Sequence, residues 1–298
     1  MLATSALKAH TAGLGLVIRH VLAGLGHGIH AGRERGAGVE FSEYRAYAPG
    51  DEWRRVDWKL LARADRYYVR EAERDSHVAV WLMLDASASM AEASRSLAGV
   101  DKLWFARTLL ACVAALALRQ GDAFGLVIVG HDRVAFTPAA RGPRQMQRVL
   151  AQLSRVQAGG GLPDAAAVRT GLHFAQSPSL VFAVSDFLDW PSALSEALLR
   201  LRAMQHDVRL LCLQTQAELD AAFTPGSVYR DPEQAQGLHR FDAAARRVYL
   251  QASAAHFDAV RQQCRQHNLP LHTGLIEQPL GSVLRAGLQQ AGRVGRAR

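Results

Sequence analysis

The residues best placed to do chemistry in this chain are oxygen donors. In the stretch LDASASM, Asp85 is followed by Ser87 and Ser89 at two-residue steps. Much later, VFAVSDF carries Ser185 and Asp186. Carboxylates and hydroxyls suit a hard cation such as magnesium, which takes oxygen ligands in near-octahedral geometry and keeps several waters. Two hydroxyls add little charge, so an ion held this way stays electropositive and can accept a carboxylate from another protein. The alternative is local: Asp85 and the serines cap a turn by bonding the nearby backbone. The second carboxylate, at the end of another apolar run, shifts the reading toward one shared site made of Asp85, Ser87, Ser89 and Asp186.

The elements that must position these residues are legible as apolar runs. VAVWLML, residues 78–84, is continuous and of strand length, which suits a strand covered on both faces. Asp85 then stands at its carboxyl end, where open parallel sheets bind ligands. Further strands are expected at 124–129, 180–184, 208–213 and 271–276, with a short edge strand at 133–136. Helices are expected at 102–119, 145–153, 164–174, 191–204, 241–267 and 280–288, with Pro191 in the first turn of its helix. Residues 223–238 read as a surface hairpin or loop. Strands alternating with helices of this length predict an α/β fold, a mostly parallel sheet with helices on both faces.

The first quarter of the chain is different. Residues 1–27 read as a helix. Its apolar part, 14–25, is too short for a membrane span and is interrupted by Arg19 and His20. It is expected to pack on the protein body, a membrane-edge helix being the alternative. Residues 28–75 are dense in charge, aromatics and turn residues, with strand-like stretches at 39–47 and 67–71 and a helical turn at 56–63. The expected division is therefore 1–75 and 76–298. Within the first part, Arg45, Arg54, Arg55 and Arg63 are interspersed with the acids Glu40, Glu43, Asp51 and Asp57, with Trp53 and Trp58 among them. Arginine forks pair bidentately with carboxylates, so this set reads as a structural clamp. Its alternative is a partner-binding face anchored by Trp53 and Trp58.

Charge and cysteine usage bound the function classes. A net charge of +8 permits acidic partners: nucleic acid, anionic lipid or an acidic protein face. In residues 28–75, however, acids are as frequent as basic residues, which argues against a phosphate-binding face there. Cys112, Cys212 and Cys264 are far apart, with no CxxC pair and no secretion signal, so reduced thiols and a cytoplasmic location are expected. No Walker A sequence, Gly-x-Ser-x-Gly elbow or His-Glu-x-x-His helix occurs. The chain reads as a binding protein and not an enzyme. A metal-dependent hydrolase centred on Asp85 would need a nucleophile and an acid that the sequence does not display.

Two resemblances add to this. DASAS is similar to the Asp-x-Ser-x-Ser pattern of the metal-ion-dependent adhesion site in von Willebrand A domains, and Asp186 matches the later aspartate of that site. The family also supplies a threonine from an intervening loop. Here that loop, AGGGLPDAAAV at 158–168, has Gly161 or Leu162 at the corresponding place, which implies weak magnesium binding. Asp164 lies just beyond it as a substitute donor, and Thr170 falls too deep in the following helix. The longer stretch GRERGAGVEFSEYRAYAPGDEWRRVDWKLLARADRYYVREAERD, followed by LMLDASASM, resembles the bacterial family called domain of unknown function fifty-eight. That resemblance spans about residues 28–150 and continues as the expected order of elements. It implies a von Willebrand A-like domain in the short form without membrane helices. It also implies an adaptor or accessory factor working with a MoxR-type AAA+ ATPase in complex assembly or maturation. If the clamp reading is right, changing Arg45, Arg54 or Arg55 to alanine lowers the unfolding free energy in urea melts by about 2–5 kcal/mol. Unchanged stability with lost partner binding would identify an interface instead.

Overall fold

The computed structural model describes residues 18, 21, 43–46, 67–71, 79–131, 133–171, 178–222, 224, 228–230, 238–240 and 242–289. The chain divides into two units, His30–His77 and Met1–Ile29 with Val78–Arg298. The first 29 residues thus group with the α/β body. Residues 18 and 21 are helical, and Ile18 is buried in that body's core with Val21 packed against it. In the smaller unit, strands β1 (Glu43–Ala46) and β2 (Tyr68–Glu71) form an antiparallel pair with Arg45 opposite Val69. Trp53, Arg54, Arg55, Asp57, Trp58 and the expected turn at 56–63 lie outside the described residues.

The larger unit is built around β3 (Val80–Asp85), in which every residue is buried. Its side chains alternate between two cores. Val80, Leu82 and Leu84 enter one, while Trp81 and Met83 enter the other. A strand with apolar residues on both faces is stable only inside a sheet covered on both sides, and that is its environment. β3 lies parallel to β4 (Phe124–Gly130) and to β6 (Leu180–Ser185). β7 (Asp207–Gln214) pairs with β6, and β10 (Leu271–Leu275) pairs with β7, both parallel. β5 (Arg133–Ala140) closes the other edge antiparallel to β4, giving the order β10-β7-β6-β3-β4-β5. All five expected parallel strands therefore share one sheet. β5 runs four residues beyond its expected end, through Pro138, because an edge strand can lose a donor on its open side.

Helices cover both faces. α1 (Lys102–Gln120), α2 (Pro143–Arg155) and α7 (Leu280–Gln289) pack on the first core. α3 (Ala165–Gly171), α4 (Ala193–Ala203) and α6 (Ala243–Gln266) pack on the second. Residues 172–174, expected to extend α3, lie outside the described residues. Pro191 falls before α4, not in its first turn. Ser192 takes the cap position, accepting from Ser195 N at 3.3 Å and closing a reciprocal capping box. A short helix not anticipated, α5 (Gln216–Asp220), follows β7 directly, and Thr215 and Glu218 cap it in the same reciprocal way. The insertion forms the expected hairpin, β8 (Val228–Arg230) with β9 (Leu238–Arg240). Among the described residues, α1 alone has the length and apolarity of a membrane span, and it is packed against the sheet as the central core helix.

Candidate strand-end site

The carboxyl ends of β3 and β6 deliver the sequence-predicted donors to one place. Asp85, Ser87, Ser89, Ser185 and Asp186 are all at most 9% exposed. Asp85 Oδ1 accepts from Ser87 N at 2.8 Å, and Oδ2 accepts from the Ser185 hydroxyl at 2.5 Å. Ser185 Oγ in turn accepts from Phe187 N at 2.9 Å. The turn-forming reading of Asp85 is therefore correct for one of its oxygens. It does not hold for Ser87, which precedes the 3₁₀ turn Ala88–Ala91 without making a side-chain cap. Its hydroxyl instead lies 3.1 Å from that of Ser89.

The loop expected to carry a threonine does approach the motif, but it contributes backbone. Gly159 N donates to Ala86 O at 3.0 Å, Ala88 N donates to Gly160 O at 2.9 Å, and His131 N donates to Gly159 O at 3.1 Å. Three loops, at 86–88, 130–131 and 159–160, are thus laced main chain to main chain. The lacing explains the glycines. Gly160 has φ +64°, and a Cβ there would lie 2.9 Å from His131 Cα. A Cβ on Gly130 would lie 2.7 Å from the Ala86 carbonyl carbon. Asp164, the candidate substitute donor, is exposed and caps α3, accepting from Ala167 N at 2.7 Å. Nothing places it among the buried donors.

The residue that sequence reasoning missed is Lys102, the first residue of α1. It is 1% exposed, and its Nζ donates to Asp186 Oδ2 at 3.0 Å and Glu218 Oε1 at 2.6 Å. Glu218 Oε2 accepts from Thr215 N at 2.7 Å, so the cap of α5 also holds the ion pair. Burial by itself pushes the Lys102 ammonium down. The carboxylates of Asp186 and Glu218 overcome this and hold it above the ordinary lysine range. A signal was present: Lys102 stands three, four and seven residues before Phe105, Ala106 and Leu109, on the buried stripe of the helix.

Asp85 is perturbed in the opposite sense to a salt-bridged acid. Burial, then the nearby Asp186 carboxylate, push its carboxyl up to about 6, against the hydrogen bonds from Ser185 and Ser87. Two buried carboxylates that feel one another's charge favour a proton or a nearby cation. The donor set also fits a magnesium-type ion. Cis ligands of an octahedral ion at about 2.0–2.1 Å stand about 3 Å apart, and the two serine hydroxyls, here hydrogen-bonded to one another, are at 3.1 Å. Among the described residues, no group of three or more His, Cys, Asp or Glu gathers into a metal cluster. A cation here would rest on hydroxyls, two carboxylates and water.

A mostly parallel sheet with helices on both faces, and an Asp-x-Ser-x-Ser motif ending its central strand, defines a von Willebrand A-like domain. The family model described as "Protein of unknown function DUF58" matches residues 43–259, and the chain belongs to that family. Similar proteins include uncharacterized protein Mb1516 of Mycobacterium bovis and uncharacterized protein Rv1480 of Mycobacterium tuberculosis. Each is 28% identical over 87% of this chain and 81% of its own length. Similar solved structures include the conserved hypothetical protein BatB from Bacteroides thetaiotaomicron, with TM-score 0.42 and 12% identity over 72% of this chain and 96% of that one. An aerotolerance-related membrane protein from Bacteroides fragilis gives TM-score 0.41 and 13% identity over 71% and 97%.

Two measurements test the electrostatics of the site. Lys102→Met leaves Asp186 and Glu218 without their cation and is expected to cost about 3–5 kcal/mol in chemical denaturation. For Asp85, burial and the Asp186 carboxylate raise the folded carboxyl to about 6, against about 3.9 for an ordinary aspartate. The folded state then binds more protons than the unfolded one between those values, so stability falls as pH rises through the window and stays low above it. Asp85→Asn lacks this loss. Its stability relative to wild type is expected to rise by about 1–3 kcal/mol between pH 4 and pH 7, measured by urea unfolding at both.

Proposed function

We propose that this chain is a non-enzymatic adaptor whose strand-end site, Asp85, Ser87, Ser89 and Asp186, recognises an acidic side chain of a partner protein with the help of a weakly held magnesium ion. The observation that carries this reading is the Ser87–Ser89 hydroxyl pair at 3.1 Å beside two buried carboxylates. Magnesium bound there would supply an electropositive centre with an open coordination position. Ser87 and Ser89 would hold it directly, and Asp85 and Asp186 would orient its waters. Ser185 fixes the Asp85 carboxylate, and Lys102 fixes that of Asp186. Lys102 also offsets negative charge near the ion, which, with glycine backbone in place of the loop threonine, keeps affinity low. Membership of the family supports a MoxR-type AAA+ ATPase as the partner, in protein complex assembly or maturation. The cytoplasm suits three unpaired, buried cysteines whose thiols burial pushes up, Cys112 to about 12.

One observation favours a second reading. A carboxyl that titrates near 6 can donate or accept a proton near neutrality, which suits a metal-dependent hydrolase centred on Asp85. The test separates the two. Wild type and Asp85→Ala, both checked for folding, are used to recover partners, including the MoxR-type ATPase, with magnesium or with chelator, while calorimetry follows magnesium binding. Adaptor function predicts magnesium-dependent recovery, reduced about tenfold by the substitution, a loss of about 1.4 kcal/mol. Equal recovery by both proteins, with no magnesium binding, would overturn it. Turnover of a substrate by the wild type that Asp85→Ala abolishes would establish the hydrolase.

A further inference from the structure

The positive charge of the chain is not spread evenly. Between residues 133 and 163 there are five arginines and no Asp or Glu. All five, Arg133, Arg141, Arg144, Arg148 and Arg155, are exposed. Among the described residues, none of the five pairs with a carboxylate. On α2, Arg144, Arg148 and Arg155 sit at positions i, i+4 and i+11, which is one stripe of a helix with 3.6 residues per turn. Gln145, Val149 and Leu153 face inward on the adjacent side. The stripe covers about 16 Å at 1.5 Å per residue.

The stripe leads to the candidate site. Arg155, at the end of α2, and Arg133, at the start of β5, line a cleft of about 270 Å³ with His131, Gln152 and Gln157. The floor of the same cleft includes Ala86 and Gly130, from the laced loops that hold the Asp-x-Ser-x-Ser motif. Among the described residues, no acid lines it.

From this geometry we infer that the α2 arginine stripe and the Arg133–Arg155 cleft form the docking track for an extended acidic segment of the partner protein, which runs along α2 and places a carboxylate side chain in the cleft. The inference rests on the adaptor reading and deepens it by naming the partner's chemistry. Charge complementarity carries it: exposed guanidinium forks without internal partners match carboxylates bidentately. A strand of about five residues at about 3.3 Å each covers the stripe. A single-stranded nucleic acid fits less well. Binding of that kind stacks bases on aromatic side chains, and residues 141–157 contain none.

The test is fluorescence anisotropy of labelled hexaglutamate with the full chain, in chelator, so that the outcome is independent of magnesium at Asp85. Binding is expected at about 0.05 M salt and is expected to be largely lost at about 0.5 M, where screening shortens the reach of exposed charges. Arg144→Glu/Arg148→Glu and Arg133→Glu/Arg155→Glu are each expected to weaken it about tenfold. Arg247→Glu/Arg265→Glu on α6 makes the same change in net charge and is expected to leave it within about twofold. Thermal melts confirm that each variant is folded. Absence of hexaglutamate binding at low salt, or equal weakening by the α6 control, overturns the inference. So does a labelled hexathymidylate that binds more tightly with the same arginine dependence, since the face would then serve nucleic acid. Each of these failures leaves the magnesium-dependent recovery by Asp85 standing or falling on its own.

Discussion

The strand ends of this domain are organised by buried negative charge that is only partly compensated. Asp186 and Glu218 converge on the Lys102 ammonium, at 3.0 and 2.6 Å. A lysine taken out of water is costly by itself, and close hydrogen-bonded acids repay that cost when the geometry is good. The ion pair ties the start of α1 to the end of β6 and to the cap of α5, three elements distant in sequence. Asp85 receives no such cation. It is answered by the Ser185 hydroxyl and the Ser87 amide, and its carboxyl rises toward neutrality. The site therefore keeps one carboxylate committed to an internal cation and one still open to a proton, an ion or a partner.

Around these charges the backbone is preassembled. The loop at 159–160 hydrogen-bonds to Ala86, Ala88 and His131 by main chain alone. Such lacing leaves no room for a side chain at Gly160 and holds the motif against the β4 end. A loop that spends its donors and acceptors on its neighbours gives a surface little entropy left to lose on binding.

The two sides of the sheet edge differ in electrostatic character. Toward β7 and α5 lie buried acids and their lysine, while toward β5 and α2 lie exposed arginines and a cleft lined, among the described residues, by no acid. An exposed guanidinium keeps its hydration and remains available to an incoming group, whereas a buried ammonium with two carboxylates is already spent. Of the cysteines, Cys212 touches the acid side, its thiol donating to the Asp186 carbonyl at 3.3 Å. Cys112, Cys212 and Cys264 are buried, and burial pushes each thiol away from the reactive thiolate form.

Much of this architecture was legible in the chain alone, because a strand covered on both faces must be a continuous apolar run. Residues 80–84, 124–130 and 180–184 satisfy that requirement, residues 210–213 do so over a shorter run, and the order of strand and helix followed from them. Asp85, Ser87, Ser89 and Asp186 were legible for the same reason, since each stands where such a run ends. What depended on long-range geometry was not. Pro191 looks like a first-turn proline, but the Ser192–Ser195 cap starts the helix after it. Asp164 looks like a spare ligand, yet a nearby amide claims it. Lys102 reads as an ordinary helix-start lysine, and its role appears only when β6 and α5 bring Asp186 and Glu218 within reach, 84 and 116 residues away. Local hydrophobic period determined which elements form and where the donors stand. Only the tertiary fold decided which charges are paired, because a Coulomb interaction depends on distance in space and on burial, and neither is written in sequence separation.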